Sequence, residues 1–114
     1  DQKLTALFSA SLAEINAQRA SIINGVERFQ RRQVARAKKL EEEGIALAAL
    51  QSKAVTGDSA ATPERVTDAQ QRYDWDARVF QERQQNIPIA CEIPVLVEQR
   101  IFALAQSIRA LMSN

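Results

Sequence analysis

The chain has 114 residues, 46% hydrophobic and 25% charged, with a formal net charge of +1. That length allows one domain, the apolar share argues against disorder, and the near-neutral balance excludes a global pull toward nucleic acid or anionic membrane. There is no histidine, which removes the commonest metal ligand and general base, and the single cysteine, Cys91, excludes an internal disulfide.

Glycine and proline number only three each, while alanine, glutamine, arginine and leucine dominate, all good helix formers. The fold class that follows is all-α: a long helical hairpin or coiled-coil-like bundle of one long and two shorter helices, forming a single domain over 1–114. No apolar run is long enough to span a bilayer. The chain opens on Asp1 rather than Met, as a mature chain freed of an upstream segment would, or a domain of a longer protein. No signal peptide is visible, and the compartment stays open between the cytoplasm and the periplasm or exterior.

The first helix is expected over about 4–52. Phe8, Leu12, Ile15, Ile22, Val26 and Phe29 recur at alternating steps of three and four, interrupted by Arg19. That is a heptad seam. The same register continues through Gln33, Arg36, Leu40, Glu43, Leu47 and Leu50, so the seam is apolar at both ends and polar in the middle. Asn24-Gly25 is a possible break, although the apolar phase runs through it. Gly44 is a second soft spot, costing about 1 kcal/mol against alanine. Such a helix spans roughly 70 Å at 1.5 Å per residue, longer than a small globule can bury.

A loop is expected over 55–62. Thr62 then reads as an N-cap, with Pro63 at the first helical position and Glu64 in the first turn. The second helix, about 63–85, carries Val66, Tyr73 and Phe80 on one stripe, with Ala69 and Ala77 between them. Asn86-Ile87-Pro88 ends it, because proline disfavours helical geometry in the residue before it. The joint is expected over 87–93. The third helix, about 94–112, presents Val97, Ile101, Leu104, Ile108 and Leu111, widened by Phe102, Ala105 and Met112. So broad a face calls for two packing partners.

Folding the chain about the loop near Asp58 makes facing residue numbers sum to about 116, the register of an antiparallel helical hairpin. This sets Leu12 near Leu104, Ile15 near Ile101, Phe8 near Ile108 and Gly44 near Tyr73, with apolar meeting apolar along most of the length. The rival is a compact bundle in which the third helix turns back beside residues 30–53.

The basic run Arg28, Arg31, Arg32, Arg36, Lys38 and Lys39 has no acidic interruption. Arg28, Arg32, Arg36 and Lys39 share a helix face that could track phosphates of nucleic acid or anionic lipid. Glu41–Glu43 follow at once, and the blander reading is a solvated face. Trp75 and Val79 lie off the main stripe, which suits an interface anchor or a residue covered by the other arm. Cys91 is expected to be a small buried hydrophobe in the joint. The carboxylates of Glu41–Glu43, Asp74 and Asp76 lack the spacing of a calcium loop.

No glycine-rich phosphate loop or nucleophile elbow is present. The expectation is a protein that is not an enzyme and has no cofactor and no metal. The leading reading is a structural or interaction module, a helical subunit assembling with itself or a larger protein complex through coiled-coil seams. Its interface would be Phe8, Leu12, Ile15, Ile22, Trp75, Phe102 and Met112. The alternatives are a module binding nucleic acid or anionic membrane through the basic stripe, and a helical sensor with Tyr73, Trp75 and Phe80 lining a ligand cavity.

Overall fold

The computed structural model describes residues 2–114; Asp1 lies outside the described residues. It contains two α-helices, α1 (Gln2–Val55) and α2 (Pro63–Met112). The helix α1 runs without interruption through Asn24-Gly25 and Gly44. Its least exposed positions are those of the seam: Phe8, Leu12, Ile15, Ile22, Val26, Phe29, Gln33, Arg36, Leu40, Glu43, Leu47 and Leu50 are all buried or half-buried. Arg19 alone of that register is exposed. Continuous packing of one heptad face sustains the helix past its glycines.

The joint expected over 87–93 is not a break, and there are two long helices rather than one long and two shorter ones. Residues 87–93 are helical, and both Pro88 and Pro94 lie inside α2. Each proline takes one N–H out of the ladder, leaving the carbonyls of Gln84 and Ala90 without their usual donor. An interior proline costs about 3 kcal/mol in an isolated helix, but tertiary packing decides most helical stability. The packing here is uninterrupted. Val66, Ala69, Tyr73, Asp76, Phe80, Arg83, Ile87, Ala90, Pro94, Val97, Ile101, Leu104 and Ile108 keep alternating steps of three and four, and all are buried or half-buried.

The turn between the helices is built by local hydrogen bonds. Gly57 takes φ +79°, which only glycine adopts freely. Its N–H reaches the carbonyl of Ala54 at 3.2 Å, and the N–H of Asp58 reaches that of Lys53 at 3.0 Å. These two bonds form a Schellman cap. Asp58 Oδ1 then accepts from the Ala60 N–H at 2.8 Å. Thr62 is the N-cap, its Oγ1 accepting the Arg65 N–H at 3.4 Å. Ala61 is buried beneath the turn.

The chain packs as two units, and each helix contributes a segment to both. Unit 2, Gln30–Asn86, is a helical hairpin closed by this turn. Leu47 is buried within it, and the Tyr73 ring lies against Gly44. Unit 1 pairs the described residues up to Phe29 with Ile87–Asn114. Its buried residues are Val97 and Ile108, and Arg19 Nε donates to Glu98 Oε1 at 2.9 Å. The C-terminal half of α2 therefore lies against the first segment of the chain, and the compact bundle beside 30–53 is not formed. Arg19–Glu98, Gln33–Gln84 and Gly44–Tyr73 each sum to about 117, the antiparallel register expected.

Candidate interaction surface

A two-helix layer can cover each helix from one side only, so the surfaces left over define what the chain can do. In unit 2 the polar middle of the seam is a small hydrogen-bonded centre. Gln33 is 3% exposed. Its Nε2 donates to the Phe80 carbonyl at 3.2 Å and to Gln84 Oε1 at 3.4 Å, while its Oε1 accepts from Arg36 Nη1 at 3.1 Å. One satisfied polar residue at a seam position fixes register.

The basic stripe is thereby partly spent. Arg36 is half-buried and committed to Gln33. Lys39 Nζ lies 3.4 Å from Glu43 Oε1, and the second Glu43 oxygen is buried without a partner. Arg36, Lys39, Glu43 and Asp76 surround a pocket of about 90 Å³ in which the two signs mix. Arg28 belongs to unit 1 and is exposed, as is Arg32 in unit 2.

The other side of unit 2 is apolar. Ala37, Leu40, Glu41, Gly44, Ile45 and Ala48 of α1 face Tyr73 and Phe80 across an open groove of about 580 Å³. Trp75 does not line it. The indole is instead 62% exposed and uncovered by the other helix, while Val79 is half-buried in the pocket with Asp76.

In unit 1, Phe8, Leu12, Ile15 and Ile22 are half-buried along the α1 side of the seam. Phe8 shares a second open groove of about 420 Å³ with Leu4, Ala105, Ile108 and Met112. The α2 segment has more apolar surface than one partner covers: Ile89, Ile93, Val95, Leu96, Phe102, Leu111 and Met112 are all exposed, Phe102 at 65%. Leu111, expected on the packed face, is exposed because the buried stripe ends at Ile108. Cys91, expected to be buried, is exposed. With the helix continuous, the seam takes Ala90 and Pro94 and turns residue 91 outward.

The sequence reading missed the Arg19–Glu98 pair and the exposed stripe of Ile89, Ile93 and Leu96. Both carried a signal: the register sum brings residue 19 beside 98, and the stripe keeps heptad spacing. Among the described residues no cluster of acidic, histidine or cysteine side chains could hold a metal ion. Nor, among the described residues, is any helix long and apolar enough to cross a membrane. Comparison with family models, with curated proteins and with solved structures found no match.

Proposed function

We propose that the chain is a structural or interaction module, a helical subunit that assembles with itself or a larger protein complex through coiled-coil seams. The observation that carries this reading is a second apolar stripe of α2 in unit 1, where Ile89, Ile93 and Leu96 meet water although the seam beside them is filled, with Phe102 exposed on the other flank of that seam. Contiguous exposed apolar surface marks interaction sites. Burying three such side chains contributes several kcal/mol at about 25 cal/mol per Å². Translational and rotational costs consume part of that, so self-association in the micromolar range is expected. Trp75 adds a second exposed anchor of the type that dominates interfaces.

Light scattering across a hundredfold concentration range tests this. The parent should grow in mass, and the double variant Phe102→Ser/Trp75→Ser should lose its largest species while keeping its helix content. A parent that stays monomeric throughout, with no protein co-purifying from extract, overturns the reading.

A further inference from the structure

Beside its packed seam, α2 carries a second stripe of the same heptad period that α1 leaves uncovered. Glu82, Asn86, Ile89, Ile93, Leu96 and Arg100 follow steps of four, three, four, three and four, and all six are exposed. The same steps extend the stripe to Trp75 through Val79 and to Ser107 through Ala103. It is apolar at its centre and carries one charge toward each end, of opposite sign. Neither Glu82 nor Arg100 makes an ion pair among the described residues. A stripe of that pattern is complementary to its own reverse, which is what a two-fold pair requires.

We infer that this stripe is covered by the same stripe of a second copy, the two α2 helices running antiparallel, with Ile89 of one copy set against Ile93 of the other. Facing residue numbers then sum to about 182, which brings Glu82 against Arg100, twice by symmetry. Charge selects both the occupant and the register, because these two residues lie on the stripe itself. Sliding the copies by one heptad sets Arg100 against Ile89 in one direction and Glu82 against Ile93 in the other. A parallel pair stacks each charge on its own copy. One contact opposes the pairing: Glu92, on the flank of the stripe away from the seam, meets its own copy near the two-fold axis. That single like-charged pair stands against two pairs of opposite sign and the three large apolar side chains that each copy buries.

The same register sets Val79 against Ala103 and gives the exposed Trp75 indole a small partner in Ser107. From Trp75 to Ser107 the stripe runs about 48 Å at 1.5 Å per residue and is one helix diameter, about 10 Å, across. Covered on both copies it amounts to roughly 1,000 Å² in total, the size at which specific pairs separate from incidental contacts. Stripe and seam share one heptad period, so a single left-handed supercoil keeps both in register.

The inference rests on the assembly reading above, whose partner it names, and fails separately from it. Sedimentation of the full chain should show a dimer that Ile89→Glu converts to monomer with unchanged helix content, since residue 89 is exposed and its loss leaves the seam intact. Glu82→Arg and Arg100→Glu should each weaken the dimer about tenfold, and the double variant Glu82→Arg/Arg100→Glu should return to within about threefold of the parent. In a Cys91→Ala background, mixing Ile89→Cys with Ile93→Cys should give a disulfide-linked heterodimer on oxidation. If Ile89→Glu dimerises as the parent does, or the double charge variant is no better than the singles, association runs through another face. The inference is then overturned while the assembly reading stands. A parent that stays monomeric but brings a foreign protein from extract has the same consequence.

Discussion

The Tyr73 ring lies over Gly44 so closely that a Cβ on residue 44 would stand 3.2 Å from Tyr73 Cε2. Gly25, the other helical glycine of α1, has nothing within 4 Å of the same position. The two glycines therefore separate propensity from packing. Gly25→Ala should stabilise the protein by about 0.5–1 kcal/mol, the ordinary gain of alanine in a helix. Gly44→Ala offers the same gain but must push the tyrosine aside. Thermal denaturation should show a higher Tm for Gly25→Ala, with Gly44→Ala falling clearly below it.

Gln33 is buried with its amide satisfied on both ends. Gln33→Ala removes those bonds and leaves a hole, and should cost about 1–3 kcal/mol in urea denaturation. Gln33→Leu fills the same space with apolar atoms and should be close to neutral or stabilising. The leucine variant should show its effect in register instead. Cysteines placed at 15 and 101 in a Cys91→Ala background should crosslink less selectively than in the parent.

Pro88 is exposed, so replacing it loses little packing. Pro88→Ala returns an N–H to the ladder opposite the Gln84 carbonyl and removes the ring clash. Stability should rise by about 1–3 kcal/mol, and amide hydrogen exchange around residues 84–88 should slow. A loss of helix content in this variant would mean that the proline itself shapes the packing.

The left-handed Gly57 closes α1. An alanine there has no steric partner to meet, so its whole cost is conformational. Gly57→Ala should destabilise by about 1 kcal/mol, whereas Gly57→Asn, tolerant of the same geometry, should cost less. Comparing the two midpoints in one denaturant series checks the assignment.

The heptad seam of α1 was legible because hydrophobic spacing reports directly on which face is packed, and Phe8 through Leu50 kept one phase. The partnership of Gly44 with Tyr73 followed from register arithmetic alone. The continuity of α2 was not read, because two prolines in seven residues weigh heavily on intrinsic propensity. Their cost is local, whereas the stripe through Ile87, Ala90 and Pro94 is sustained by packing on both sides. The exposure of Cys91 was lost with it: once a corner was assumed at 87–93, a small thiol belonged inside. The groove along Ala37, Gly44 and Ala48 was invisible for another reason. Small residues mark empty space only when the opposing walls are known.

The turn at Gly57 also sets the order in which the molecule can form. Unit 2 closes over residues 56–62 alone, while the Arg19–Glu98 contact of unit 1 joins residues 79 apart. Closing the longer span from an unfolded chain costs about 2 kcal/mol more in loop entropy than closing the short one. With unit 2, Gln30–Asn86, already zipped, most of that span is held, and the remaining closure costs correspondingly less. Folding should thus begin beside the turn and end at the chain termini. Mutations near Leu47 and Tyr73 should slow refolding, while those near Phe8 and Ile108 should mainly hasten unfolding. The same asymmetry gives the nascent chain a period of exposure. By the register sum of about 117, Phe29 emerges from the ribosome about 60 residues ahead of the segment that will cover it, and Phe8 about 100.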